Sequence, residues 1–580
     1  MRDSFDNEKL IGLIVGGISN EFSKEVINGV VNSIPNSSNV RLAILPGELM
    51  VQSFQSEGIS EHHSMFNSVY NLGSICKMDG LIIAMGSIGW RLNDDEIHEF
   101  LNQFSNIPVV LIASDYKEYT TVNYDNRMGI SEAINGLVVG KNLTNICMIG
   151  GYDVNVDAVR RKEIFIDCLS ENGLKFHDKI YEASDMSENT EEAAETLLKN
   201  NPEVQAIFCV NDAGAVGLYN VMKKKGLTPG KEIQVFGFDN TRKAGEMIPP
   251  LSSIGSKSVT LGQKALELLL DKIDGKEVES VEIPTRLYGR ASYEYDNFDF
   301  TLKRLDEINE NHIKMMFEDC FYRYSDGLVG RDDINLKRLF YEIISRMFDG
   351  LNRKYIGVEE YTDICKLIDI FFDNGALEYT DVWKFLMGVQ RLQNGINDQQ
   401  QGRENIYVNR LFLHMKDDAI KSLSEIRIRE NNANIEARSR FRRFMIKGMN
   451  YAGDKEKIKL DILNSMDLLG VKNAAFYMFK TPLKKTEIDK KEYPEYIKLV
   501  SVIKNGNVYV IPETRRQRPM SDIFIQREIK IYNKRFVTFP IFYERILYGF
   551  LLLELTPDLY HKGEFYASQI GMLVHMVRIS

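Results

Sequence analysis

The sequence predicts an α/β fold for its first half, followed by an α-helical segment and a smaller α+β unit. Three observations lead there. Short, nearly continuous apolar runs alternate with amphipathic stretches through residue 295, vanish between Phe298 and Lys447, and return from Asp454 onward. Strands covered on both faces of a parallel sheet read as unbroken apolar runs, and repeated strand–helix units build doubly wound sheets. The chain is therefore divided into residues 1–295, 296–450 and 451–580, a division its 580 residues allow at roughly one to two hundred residues per domain.

In the first part the predicted strands are Ile11–Val15, Arg41–Leu45, Gly80–Ala84, Pro108–Ala113, Asn145–Ile149, Ala206–Val210 and Ile233–Phe236. Ligands on such sheets bind beyond the carboxyl ends of the strands, which makes the polar residues after each run the place to seek a site. In the middle part leucine, isoleucine, phenylalanine and methionine recur at helical spacing. Glu404–Asn450 contains no proline and one glycine, Gly448, and reads as holding one long helix. Its charged stretch Leu423–Phe444 fits a solvated face, or a helix that links two domains and pairs with a symmetry mate. The last part reads as a helix (Lys455–Leu469), strands at Ala474–Phe479, Val508–Ile511, Phe536–Phe542 and Leu547–Leu555, and a closing helix at Gly563–Ile579.

Composition narrows the function. With 44% hydrophobic and 27% charged residues the chain is globular rather than disordered. A formal net charge of −10 offers no basic footprint for displacing counterions, so direct nucleic-acid binding is not expected. The six cysteines are scattered with no C-x-x-C pair, and Cys147 and Cys209 sit inside apolar strands as inert buried thiols. The start MRDSFDNEKL is too polar for a signal peptide, and the apolar runs fall short of the roughly 18–20 residues of a membrane span. A soluble, cytoplasmic protein is expected. Neither G-x-x-x-x-G-K-[ST], G-x-S-x-G nor H-E-x-x-H occurs; no catalytic residue, cofactor or metal is assigned, and this chain is not expected to be an enzyme.

The segment from Val122, VNYDNRMGISEAINGLVVGKNLTNICMIGG, resembles the lac and galactose repressor family, with Asp125, Asn126, Gly129, Ala133, Leu137 and Gly140 at the family's recurring positions. Further matching segments come in the expected order: ISNEF at Ile18–Phe22, NDAGAVG at Asn211–Gly217, VFGFD at Val235–Asp239, PLSSIGSKSVTLG at Pro250–Gly262, and Ile283–Ser292. The resemblance covers the first half of the chain. It implies a two-lobed, type I periplasmic-binding-protein-like fold that holds a sugar or nucleoside-like molecule between its lobes.

Hydroxyl-rich ligands demand fixed donors and acceptors. By resemblance, Arg161 supplies a planar set of donors, although Arg160 leaves the register open by one residue. Asn211 offers both a donor and an acceptor, Asp239 acceptors only, and Asn20 and Phe22 line the opposite lobe. Asp125 joins the set through the D-N motif, Ser256 lies towards the hinge, and Trp90 offers a stacking face. Asn211 and Asp212 are equally suited to capping the helix that follows.

Two departures from the family stand out. The first predicted strand begins at Ile11, with no preceding helix-turn-helix, and residues 296–580 follow where such repressors end. FVTFPIFYERILYGFLLLEL (Phe536–Leu555) with the closing helix resembles a GAF-type module. The combination is similar to sensor regions of bacterial diguanylate cyclases, although no G-G-D/E-E-F motif occurs, so an output domain is expected beyond Ser580. The resulting expectation is a homodimeric small-molecule sensor that transmits a signal. The alternative is a LacI-like transcriptional regulator acting without its own DNA-binding headpiece.

Overall fold

The computed structural model describes residues 8–35, 38–48, 50, 57–89, 92–152, 155–183, 185–256, 259–295, 309–324, 335–353, 356–399, 406–449, 471–525 and 535–579. Trp90 and the expected helix Lys455–Leu469 lie outside them.

Residues 8–295 form two lobes, each built on its own sheet. In the first, six parallel strands run in the order Val281–Pro284, Thr120–Asp125, Val109–Ile112, Gly80–Ala84, Lys9–Gly16, Val40–Gly47. In the second the order is Arg286–Tyr288, Ser252–Gly255, Gln234–Phe238, Ala206–Cys209, Ile146–Gly150, Ile180–Glu182, with only Arg286–Tyr288 antiparallel. The apolar runs become strands because helices cover both faces: Ile11, Leu13, Ile14 and Val15 are all buried, as are Ile207 and Phe208. The short strands Thr120–Asp125, Ile180–Glu182 and Ser252–Gly255 went unrecognised in the sequence, since polar residues break their apolar pattern.

The chain crosses between lobes three times: after Thr120–Asp125, after Ser252–Gly255, and between Pro284 and Arg286. At the hinge, Thr285 Oγ1 donates to the Asp125 carbonyl and accepts from the Gly129 amide, so two of the crossings are fastened together.

The C-terminal α+β unit does not stand on a separate sheet. Val40–Gly47, at the border of the first lobe's sheet, pairs in parallel with Arg535–Tyr543, setting Leu42 opposite Arg535 and Ile44 opposite Val537. The sheet continues antiparallel through Ile546–Glu554, Ala474–Lys484, Tyr496–Lys504 and Asn507–Val510, giving 12 strands in all with Gln517–Pro519. An unpaired apolar edge is a liability for aggregation; the C-terminal unit covers this one. Leu559–Ile579 packs against the joining strand, and one apolar core runs through both units.

Between them in sequence, helices Glu310–Cys320, Leu336–Asn352, Val358–Asp373 and Val382–Gln399 form a bundle around Phe321, Phe340, Ile368 and Phe371. A 44-residue helix, Ile406–Met449, buries Val408, Leu411, Phe412 and Met415 against it. From Arg427 to Ile446 its described side chains are exposed. Among the described residues no helix is long and apolar enough to cross a membrane.

Lobe two and the bundle meet at Arg290, whose side chain is fully buried. It donates to Asp381 (2.9 Å), Tyr322 Oη (2.9 Å), Asn240 Oδ1 (2.7 Å) and the Leu251 carbonyl (2.8 Å). The guanidinium holds the Asp381 carboxyl below the usual carboxylate range against the opposing effect of burial.

Candidate functional site: the cleft between the lobes

A cleft of about 850 Å³ opens between the lobes, a volume suited to a small molecule. Its first wall comes from the start of the helix Glu21–Asn32, the turn after Gly80–Ala84 and the loop following Val109–Ile112; its second comes from the helix Val156–Glu171 and the ends of the second lobe's strands. Asn20, Phe22, Arg161, Asn211 and Asp239 all line it.

Arg161 sits at the base, its side chain 5% exposed. Its Nη1 donates to the Val210 carbonyl (2.9 Å), Nη2 to Asp239 Oδ1 (3.1 Å) and Nε to Asn126 Oδ1 (3.4 Å). The guanidinium lies 3.7 Å from the Phe238 ring centroid, so the plane is fixed by stacking as well as by hydrogen bonds. Asp239 is the more open partner, 40% exposed on the cleft side. Desolvation pushes its pKa up to about 6, with Arg161 pulling the other way. Its φ of +99° is a backbone conformation that side chains seldom adopt, and Asn240 follows at +49°. This strained turn aims Asp239 at the cleft and Asn240 at Arg290.

Asn211 and Asp212 divide the work the sequence left open. Asn211 caps the helix Asp212–Lys224: Oδ1 accepts from the Gly214 amide (2.8 Å) and Nδ2 donates to the Met186 carbonyl (2.9 Å). It shapes the wall with its polar atoms already engaged. Asp212 is buried behind it, accepting from Ser253 Oγ and from the Thr241 amide and hydroxyl. Burial, then the Asp239 charge, push its pKa up to about 7.

A family model described as a periplasmic binding protein-like domain matches residues 137–293. The chain is similar to the HTH-type transcriptional repressor PurR of Mannheimia succiniciproducens, 27% identical over 225 residues, spanning 37% of this chain and 64% of the repressor's length. It is also similar to catabolite control protein A of Priestia megaterium, 24% identical over 287 residues, spanning 49% of this chain and 81% of that protein. A solved structure of the transcription regulator CcpA of Lactococcus lactis aligns at 20% identity over 50% of this chain and all of that one, with a TM-score of 0.41.

Within the two-lobed half, two expected residues need correction. Asp125 does not line the cleft: its carboxylate accepts from the Arg127 and Met128 amides and caps the helix Asn126–Asn135. A carboxylate just before a helix satisfies amides that have no partner within the helix, and the next residue, Asn126, reaches the site instead. Ser256 faces a different cavity, of about 660 Å³, bordered by the bundle and the C-terminal helix. Trp90 lies outside the described residues; Phe22, Tyr116 and Tyr124 are aromatic residues that do line the cleft.

The register between the two arginines resolves into two roles. Arg161 points to the cleft base, while Arg160, on the same helix, reaches across to lobe one and bonds Asp115 (3.3 Å) and Glu282 (2.5 Å). Asp115, Asn126 and Asn155 were missed as lining residues. Asn155 caps the helix Val156–Glu171, and its place just ahead of that helix was the available signal.

Proposed function

We propose that the chain is a ligand-responsive regulator whose cleft holds a small polyhydroxylated molecule, such as a sugar or nucleoside. The observation that carries this is the fixed Arg161–Asp239 pair, with acceptors open on the cleft and Phe22 across from it. Asp239 accepts from ligand hydroxyls, the rigid guanidinium orients them, and Phe22 covers an apolar ring face. A carboxylate-bearing ligand would instead draw Arg161 away from Asp239.

Closure of the lobes does work only to the extent that the ligand prefers the closed form. Each lobe is tied to a different downstream part. Lobe one shares its sheet with the C-terminal unit, and Glu564 of the last helix accepts from the Ile18 amide and, at 3.3 Å, from Ser19 Oγ, beside cleft residues Asn20 and Phe22. Lobe two is tied to the bundle through Arg290 and Asp381. Relative rotation of the lobes therefore turns the bundle against the C-terminal unit, which we read as a GAF-like transmitting module in a homodimer. The names of the curated relatives favour transcriptional control as the output over the cyclase output that the sequence also brings to mind.

Isothermal titration of the full chain against hexoses, pentoses and nucleosides tests the reading. One class should bind at the micromolar level or tighter, and Arg161→Ala should weaken it by about 1.5–3 kcal/mol, the range for hydrogen bonds to charged groups. Silence across the panel, or unchanged affinity in a folded Arg161→Ala protein, overturns it.

A further inference from the structure

The bundle carries a polar cluster that the cleft does not use. His414 and Asp418 are four residues apart on the helix Ile406–Met449 and so share one face. Asp369 reaches them from the neighbouring helix Val358–Asp373. His414 Nε2 lies 2.8 Å from Asp369 Oδ1 and 3.4 Å from Asp418 Oδ2, and one ligating atom from each of the three residues falls within 4.8 Å of the others.

Counting donors shows what is missing. One imidazole N–H faces two carboxylates, and it can satisfy only one. Asp418 Oδ2 is buried without a hydrogen-bond partner. A cation placed between the two helices would meet all three side chains and the unpartnered Asp418 oxygen at once.

We propose that Asp369, His414 and Asp418 bind a divalent transition ion of the Zn²⁺ type, clipping the long helix to the bundle. An imidazole ligand argues against Mg²⁺ and Ca²⁺, which prefer all-oxygen shells. Ligands at about 2.0–2.1 Å in a tetrahedron sit roughly 3.3 Å apart. The 3.4 Å separation already fits, and Asp369, half exposed, opens the 2.8 Å contact by a small rotation. Three protein ligands leave one position for water.

The test uses the full chain, stripped with a chelator and titrated near neutral pH with Zn²⁺ and, separately, with Mg²⁺. One Zn²⁺ per chain should bind at micromolar affinity or tighter and raise the thermal midpoint, while Mg²⁺ does neither. His414→Gln and Asp418→Asn should each weaken Zn²⁺ at least about tenfold, the loss that even outer-shell changes produce. Asp418→Asn carries a second readout: its amide supplies the missing donor, so the metal-free midpoint should hold or rise while the Zn²⁺-induced increase disappears. Absence of Zn²⁺ binding, equal binding of Mg²⁺, or binding that both variants leave intact overturns the site.

Discussion

Two buried arginines in this molecule have opposite surroundings. Arg290, where lobe two meets the bundle, pairs with Asp381, whose side chain is 8% exposed and whose carboxyl is held below its usual range. Arg161, at the cleft base, pairs with Asp239, which is 40% exposed and pushed up to about 6. Arg290 directs its donors at four protein acceptors, so it functions as a joint. Arg161 is equally well held, but its partner keeps acceptor capacity facing the cleft. A buried ion pair by itself does not mark a site; one whose anion remains open to a cavity is a candidate for one.

The comparison can be broken most severely at the joint. Arg290→Met should cost about 3–5 kcal/mol, because Asp381 is left buried with its charge uncompensated. Urea denaturation followed by circular dichroism measures it, and a loss under 1 kcal/mol would show that Asp381 is relieved by water or by Lys384.

The cleft pair sharpens the comparison through pH. Asp239 and Asp212 bind a proton more tightly in the fold than in the unfolded chain, where carboxyls titrate near about 3.9. Protonation therefore favours the native state, and stability should fall as pH rises from about 4 through 6 to 7. Asp239→Asn should remove its share of that slope while Asp212 retains the rest. Denaturation midpoints measured at intervals over this range check it; a wild-type stability that rises across the window would contradict the assigned direction.

The smallest effect belongs to the corrected residue. Asp125→Ala should lose one helix cap, about 1 kcal/mol, and leave ligand affinity unchanged. A large affinity loss at unchanged stability would return Asp125 to the site.

Much of this was legible in the residues, and the exceptions have physical causes. Asp239 was readable because it ends the V-x-G-F-D strand, whereas Arg161, inside the helix Val156–Glu171, was readable only through the family resemblance. Asp125 and Asn126 are adjacent and both polar; which one caps and which one lines the cleft depends on how the hinge Thr285 seats the chain. Asn211 was read as a ligand contact as well as a cap, and its polar atoms turned out to be engaged by Gly214 and Met186.

The sequence by itself determined the alternation of strands and helices, the long helix near Ile406–Met449 and the order of the three parts, because hydrophobic periodicity is a local property. Only the tertiary structure decided that Val40–Gly47 pairs with Arg535–Tyr543, that Arg290 finds Asp381, and that His414 meets Asp369. Those partners lie far apart along the chain, and no local pattern encodes a contact whose energy appears only when both surfaces lose their water.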